Sequence, residues 1–387
     1  MIREYTMKNR NRKISIISTL ALEVLFVIIF GCSKESTNLV DLRKQSESVS
    51  KTQAKFVAIS GSELVVHDSD RAAYSDDGIN WIETKMPSIV QWESVSYGNG
   101  KFVAIANNKY SEGIMEPIDK AAYSDDGIKW TETKLPCINY WISVCYGNGK
   151  FVAVATSYDI FDDSNDNLLC VQTRDGLICY GPGNNVTYSD DGINWKAAPL
   201  ACLDWISVCY GNGKFIAVAG NFNMAAYSYD GANWFYTKMP SIANWSSVCY
   251  GNNKFMAVAR DFNKAAYSDD GINWKTAKMP DEANWSSVCY GNGKFVAISG
   301  DIYDSDKAAY SDDGINWKAA KMPDEASWSS VCYGNGKFVA VDGNLIGSNK
   351  AAYSGDGINW KAAKMPDEVG WSSVCFSGDK CGKKFIH

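Results

Sequence analysis

The chain has 387 residues, 46% hydrophobic and 21% charged, a globular composition that excludes an intrinsically disordered protein. Its formal net charge is −6; the first 31 residues hold five Lys/Arg against two Glu, leaving 33 basic and 42 acidic residues beyond them. That balance excludes the basic stripe of a nucleic-acid binder.

In chain order, the first predicted element is an export signal over residues 1–31. MIREYTMKNRNRK is a basic leader, and ISIISTLALEVLFVIIFG is an apolar core ending at GCSK. Glu23 inside the apolar run makes it a poor permanent membrane span. The run Ile29-Phe30-Gly31-Cys32 resembles a bacterial lipobox. The resemblance implies that Cys32 becomes the diacylated first residue of the mature protein, anchored in the cell envelope and facing outward or the periplasm. Residues 32–54 follow with no apolar periodicity and read as a flexible polar tether.

From Lys55 onward the chain repeats, and the period sets the fold class. A box typified by YSDDGINW (74–81) recurs, placing Trp at 81, 130, 195, 234, 274, 317 and 360. A second signature, W-x-S-V-[CS]-[YF], begins at residues 92, 141, 205, 245, 285, 328 and 371. Within a repeat, SVCYG and KFVAVA read as strands joined by Gly-Asn-Gly-Lys, a short hairpin signal. KAAYS gives a third strand, the box the next turn, and WKAAKMP a fourth that Pro is expected to end. Repeats of about 40 residues with four short strands indicate β-propeller blades.

The ends suggest how the ring closes. The repeats start at KFVAIS (55–60), the second strand of a blade, and finish with WSSVCF (371–376), the first strand of one. Pairing them completes a seventh blade and removes an exposed sheet edge. KKFIH (383–387) is a rival closing strand, but it is short and nothing follows it to build the rest of a blade. The expectation is an all-β, seven-bladed β-propeller of four-stranded blades over 55–387, closed by its N- and C-terminal strands.

Across the seven boxes Ser, Asp, Gly and Trp recur without exception, as Ser75, Asp77, Gly78 and Trp81 in the first. Asp76 does not recur: Tyr229 and Gly355 replace it in two copies. The pattern S-x-D-G-x-x-W resembles the Asp-box of BNR/sialidase-like propellers, shortened by one residue between Asp and Gly, and the resemblance covers 55–376. It implies a structural turn between the third and fourth strands, built on Asp77, Asp126, Asp191, Asp230, Asp270, Asp313 and Asp356. Elementary chemistry agrees: a carboxylate accepts bonds from turn amides, Gly takes an unusual backbone angle and Trp fills space between sheets. A catalytic group is needed once, whereas this motif is supplied seven times.

A sialidase would further need an arginine triad, a Phe/Tyr-Arg-Ile-Pro segment and a Tyr–Glu pair. Beyond the tether only Arg71, Arg174 and Arg260 remain, and Arg-Ile-Pro is absent. Histidine is confined to His67 and His387, which offers neither a catalytic triad nor a His-based metal site. Hydrolysis of a glycoside by paired carboxylates stays open, because carboxylate separation is not readable from sequence.

Six cysteines, Cys145, Cys209, Cys249, Cys289, Cys332 and Cys375, share one repeat position where the remaining copy has Ser96. They are expected to be buried packing residues, too far apart to bridge. Cys170 and Cys179 flank the segment CVQTRDGLIC and are candidates for a local disulfide. No cofactor or metal is expected; DDSNDN (162–167) hints at calcium but lacks the spacing and Gly of an EF-hand loop.

The segment between second and third strands varies most among repeats and is longest at 156–185. In propellers this segment shares a face with the blade-to-blade connections, opposite the boxes. The face is rich in Tyr158, Asp159, Phe161, Asp162, Asp163, Asp166, Tyr180, Tyr303 and Asp304. Aromatic and acidic groups together suit sugars or a basic protein surface. The sequence therefore points to a monomeric, lipid-anchored, non-enzymatic surface protein that binds a glycan or protein partner through this face. The alternative is a glycoside hydrolase of sialidase-like fold.

Overall fold

The structure, a computed structural model, describes residues 54–62, 68–156, 169–173, 176–180, 185–200, 203–261, 263–300, 304–344 and 346–378; for 169–173 and 176–180 only the backbone is described. The described residues all fall within one compact unit, Ala54–His387. The signal, Cys32 and nearly all of the tether lie outside the described residues.

Every regular element among the described residues is a β-strand. One four-stranded antiparallel set runs Trp205–Gly211, Lys214–Ala219, Phe222–Ser228, Trp234–Ala243 in spatial order. The same order recurs from Trp245–Gly251 to Lys275–Lys278 and from Trp285–Gly291 to Lys318–Ala326. Two long strands, Thr131–Gly147 and Lys361–Phe376, each serve as the fourth strand of one set and the first of the next, merging neighbouring sets into larger sheets. The N-terminal strand Phe56–Ser62 pairs antiparallel with Lys361–Phe376, Phe56 opposite Phe376 and Val57 opposite Cys375.

The strands form where the residue pattern dictates. Second strands such as Lys254–Ala259 are buried on both faces, as their unbroken apolar runs require. Fourth strands such as Ile82–Val90 bury little beyond Met86 and Val90, the pattern of an outer edge. Asn-Gly at 99–100, 148–149, 212–213, 292–293 and 335–336, and Asn-Asn at 252–253, place two consecutive positive φ angles in the hairpin turns. That geometry matches the twist of the flanking strands.

Proline ends the fourth strand as expected in two blades, where Trp195–Ala198 stops before Pro199 and Lys275–Lys278 before Pro280, but not in the others. Ile82–Val90 runs through Pro87 and Lys318–Ala326 through Pro323. The register slips there, between Ser69/Val90 and Arg71/Lys85 in the first case. An edge strand with a bulge needs no amide at that point, so the missing N–H costs nothing. The hairpin Asn108–Ser111 with Ile114–Ser124 was also not expected. It turns at Glu112-Gly113, both at positive φ.

The core lies between the sheets. The tryptophans that open the first strands, from Trp92 to Trp371, are all 0% exposed. One cluster joins Ile216 and Val218 of one set to Trp245, Val248 and Phe255 of the next. Removing such a Trp costs on the order of 3–5 kcal/mol.

Hydrogen bonds link the sets at one repeat position. Val144 N donates to Ser94 Oγ at 3.1 Å, Val208 N to Ser143 Oγ at 3.2 Å and Val248 N to Ser207 Oγ at 3.1 Å. Val288 N donates to Ser247 Oγ at 3.1 Å and Val331 N to Ser287 Oγ at 3.2 Å. Val374 N then reaches Ser330 Oγ, and Val95 N reaches Ser373 Oγ, each at 3.2 Å, bringing the run back to its start.

The six repeat cysteines depart from expectation in burial. Only Cys209 is buried; Cys145, Cys249, Cys289, Cys332 and Cys375 are half-buried. Each of these five packs against the margin of a core cluster and not inside it.

Candidate binding surface

The box turns define one end of the sheets. Asp77 Oδ1 accepts the amides of Ile79 and Asn80 at 2.8 Å each, while its Oδ2 accepts the Asn80 side-chain amide at 2.8 Å. Ser75 Oγ accepts Gly78 N at 2.9 Å, and Gly78 lies at φ +71°. Partial burial pushes the Asp77 carboxyl up; the bonds from Asn80, Ile79 and Ser75 outweigh it and hold it at about 2. The same contest sets Asp230 at about 2 and keeps Asp191, Asp270 and Asp313 well below the carboxylate range. At Asp356 the Asn359 amide is the largest influence, with the same outcome. Asp126 is lowered too, without a side-chain amide, because Lys129 stands where the others have Asn. Each of the seven carboxylates is thus engaged within its own turn.

The first Asp of the box does something else. Asp125, Asp269 and Asp312 receive Lys101, Lys254 and Lys294 at 2.6, 2.9 and 2.8 Å. Exposed ion pairs of this kind contribute little, which is why Tyr229 can take the position. There Lys214 sits 5.5 Å over the Tyr229 ring instead.

The hairpin turns share the box end: Asn292 Nδ2 donates to Gly355 O at 3.1 Å and Asn335 Nδ2 to Asp76 O at 3.2 Å. The opposite end is built from the segments after the second strands and the connections into the next set. Of the candidate residues there, Asp304 is described; Tyr158, Asp159, Phe161, Asp162, Asp163, Asp166 and Tyr303 lie outside the described residues. Tyr180 ends the strand Gly176–Tyr180, which pairs with Leu169–Thr173 so that Cys170 stands opposite Cys179 in backbone register.

Asp304 borders a depression of about 290 Å³ lined by Glu282, Asn284, Ser299, Asp306 and Glu325 among others. Nearby, Asp342 is 1% exposed and accepts Asn344 N at 3.0 Å. Burial pushes its carboxyl up, and the Asp304 charge adds to that push. Asp342 stands where every other second strand carries Ala or Ser, a departure visible in the sequence but not singled out from it.

Sequence reasoning also missed Glu93. At this position Ser246, Ser286, Ser329 and Ser372 donate to the carbonyls of Trp285, Trp328, Trp371 and Trp92 in the next set. Glu93 replaces the serine. It keeps partial solvent access while protein crowds it from the sides; that crowding pushes its carboxyl up to about 7, against the pull of the Arg260 charge.

Among the described residues, no group of three His, Cys, Asp or Glu side chains converges to hold a metal ion, and no helix is long and apolar enough to cross a membrane. The DDSNDN segment lies outside those residues.

No protein-family model matches the chain, and no curated protein matches it. Solved structures do. Virginiamycin B lyase from Staphylococcus aureus, substituted with selenomethionine, superposes with a TM-score of 0.52 over 71% of this chain and 84% of its own, at 13% identity. A streptogramin B lyase structure gives 0.53 over 81% and 88%, at 9% identity. The fold is a β-propeller. Apo AztD from Citrobacter koseri is a further neighbour, at 0.46 over 84% and 98% with 9% identity. At such identities the likeness concerns the propeller architecture and not the activity.

Proposed function

We propose that the chain is an exported, lipid-anchored, seven-bladed Asp-box propeller that binds a glycan or protein partner without transforming it. The observation that carries this reading is the uniform use of the seven box carboxylates, each consumed by its own turn, while the opposite end changes from blade to blade. A scaffold repeated so closely presents variable segments from fixed positions, which is how loops acquire binding roles. The pairing of Phe56–Ser62 with Lys361–Phe376 and the returning run of Ser–Val bonds support closure of the ring at seven blades.

Glycan-array binding by the full chain, repeated with residues 157–184 deleted, tests the surface. Loss of a specific signal on deletion is expected; signal retained by the deletion variant contradicts the loop reading. The anchor is tested separately: Cys32→Ser should abolish lipid labelling and release the protein from membranes.

The hydrolase alternative has one observation in its favour, the raised carboxyl of Glu93, which suits a general acid. Glycoside hydrolysis needs a second carboxyl at a defined separation. The equivalent blade positions hold Ile142, Ile206, Ser246, Ser286, Ser329 and Ser372. If a bound glycan proves to be cleaved, Glu93→Gln should abolish cleavage while leaving binding intact.

A further inference from the structure

In the connections that lead from one blade into the next, one repeat position takes two opposite kinds of side chain. Three residues past the buried Met or Leu stand Ile89, Ile138 and Ile242 in three connections, and Glu282, Glu325 and Glu368 in three others. The isoleucines are 63%, 66% and 58% exposed, and the glutamates are exposed as well. Folding does not require an apolar group here: the neighbours Met86 and Val90 already fill the core beside Ile89, at 4% and 1% exposure.

The two kinds are segregated around the ring. Glu282, Glu325 and Glu368 occupy successive connections, and Ile89 and Ile138 the next two. The following connection buries Leu200 and Leu203, and Ile242 comes after it. One arc of this face is therefore apolar and the other acidic. The hairpin tip at Ile114 and Met115, 62% and 43% exposed, extends the apolar arc. Tyr140 Oη donates to the Met115 carbonyl at 3.0 Å and ties that tip to the Ile138 connection. On the acidic arc each Glu follows an Asp, at 281, 324 and 367. Lys307 and Lys350 stand among them, with their ammonium groups on the main-chain carbonyls of Glu282 and Glu325 at 2.6 Å. Ile346, 71% exposed, is the apolar exception on this side.

We propose that this face docks a protein partner bearing lysines or arginines on one side and apolar side chains on the other, the cations meeting Glu282, Glu325 and Glu368 and the apolar groups covering Ile89, Ile138 and Ile242. The inference rests on the binding-propeller reading and narrows its partner to a basic protein. Complementary charge steers and orients such an encounter, and the apolar arc supplies contact area. The acidic arc repels anionic phospholipid headgroups and nucleic acid alike, and an isoleucine offers no flat ring on which a sugar stacks.

Three synthetic helical peptides test it against the full chain: one with leucines and lysines, one with leucines and glutamates, and one with serines and lysines. The leucine–lysine peptide should bind at least ~10-fold more tightly than either other, and more weakly at high salt. Glu282→Lys/Glu325→Lys/Glu368→Lys should invert the lysine–glutamate preference. Ile89→Ser/Ile138→Ser/Ile242→Ser should weaken the leucine–lysine peptide by about tenfold and leave the salt response unchanged. All six positions are exposed, so unchanged thermal unfolding is expected and verifies that each variant is folded. No binding of the leucine–lysine peptide, or binding indifferent to both triple variants, overturns the proposal. Glycan binding that survives both variants also overturns it while the binding-propeller reading stands; that reading fails only when neither glycan nor peptide binds.

Discussion

Glycine in the YG pair that ends six of the seven first strands is a packing residue. A Cβ added at Gly211 would lie 2.0 Å from the Tyr250 ring of the next blade, and one at Gly251 would lie 1.9 Å from the Tyr290 ring. Tyr-Gly is thus a contact between blades: the rings of Tyr146, Tyr210, Tyr250, Tyr290 and Tyr333 lie on a neighbour's bare backbone, and Phe376 lies on Gly334. Gly211→Ala forces the ring to move and should cost about 1–3 kcal/mol, read as a lower denaturant midpoint. Gly213 sits at φ +76° with open space around it, so Gly213→Ala carries only backbone strain, about 1–2 kcal/mol. Replacing Gly213 with Asn, as Asn253 already does in one blade at φ 58°, should recover part of that loss, whereas Asn at Gly211 should not. At the box, Asp77→Asn exchanges one acceptor oxygen for a donor facing the Asn80 amide, and a stability loss of about 1 kcal/mol is expected in the same titration. Loss of a specific activity from that substitution would contradict a purely structural box.

At the scale of elements, what was legible in the sequence was what local chemistry decides. Asn-Gly fixes a hairpin because both turn residues need positive φ, and Ala-Ala in place of Asn292-Gly293 should cost about 2–4 kcal/mol and also lose the Asn292 bond to Gly355. Double-jump refolding should show the loss chiefly in the folding rate if that hairpin forms early. Pro87 misled because its rule depends on which edge a strand occupies, and edge position is a property of the assembled sheet. Half-burial of Cys145 likewise depends on how its strand meets the core cluster of the next set, which no local pattern gives. The contrast between Ile89 and Glu282 is printed in the sequence, yet the two arcs exist only once the blades are ordered around a ring. The influence of Arg260 on Glu93 joins residues far apart in the chain, and no local pattern announces it.

For the whole molecule, repetition makes small local effects act together. The box carboxyls lie below the ordinary Asp value of about 3.9 in the folded protein, so each contributes stability that is present above that value and lost as pH falls through the folded one. From about pH 7 to 5 the raised Glu93 carboxyl takes up its proton in the folded protein before it would in the unfolded chain, so the unfolding temperature should rise modestly there. It should then fall steeply between about pH 4 and 2 as the box carboxyls protonate, and a curve already falling at pH 6 would implicate other groups. The proposed closure of the ring is the other collective property. Phe56 is 0% exposed, its ring lies 4.6 Å from that of Phe376, and its strand is hydrogen-bonded on both sides, to Ser69–Ser75 and to Lys361–Phe376. Lys55 N donates to Ser377 Oγ at 2.7 Å, and Ser377 N donates back to Lys55 O at 2.9 Å. If this strand completes the ring, Phe56→Ala should cost about 3–5 kcal/mol, like any core Phe. Phe385→Ala, in the rival segment, should stay within about 0.5 kcal/mol of the parent chain. Equilibrium unfolding of the two variants decides between them: the reverse ranking would place KKFIH in the ring. A loss from Phe56→Ala confined to one partial transition would mean that the ends form a separable sheet, because in a closed ring every blade leans on two neighbours and the loss must appear in the main transition.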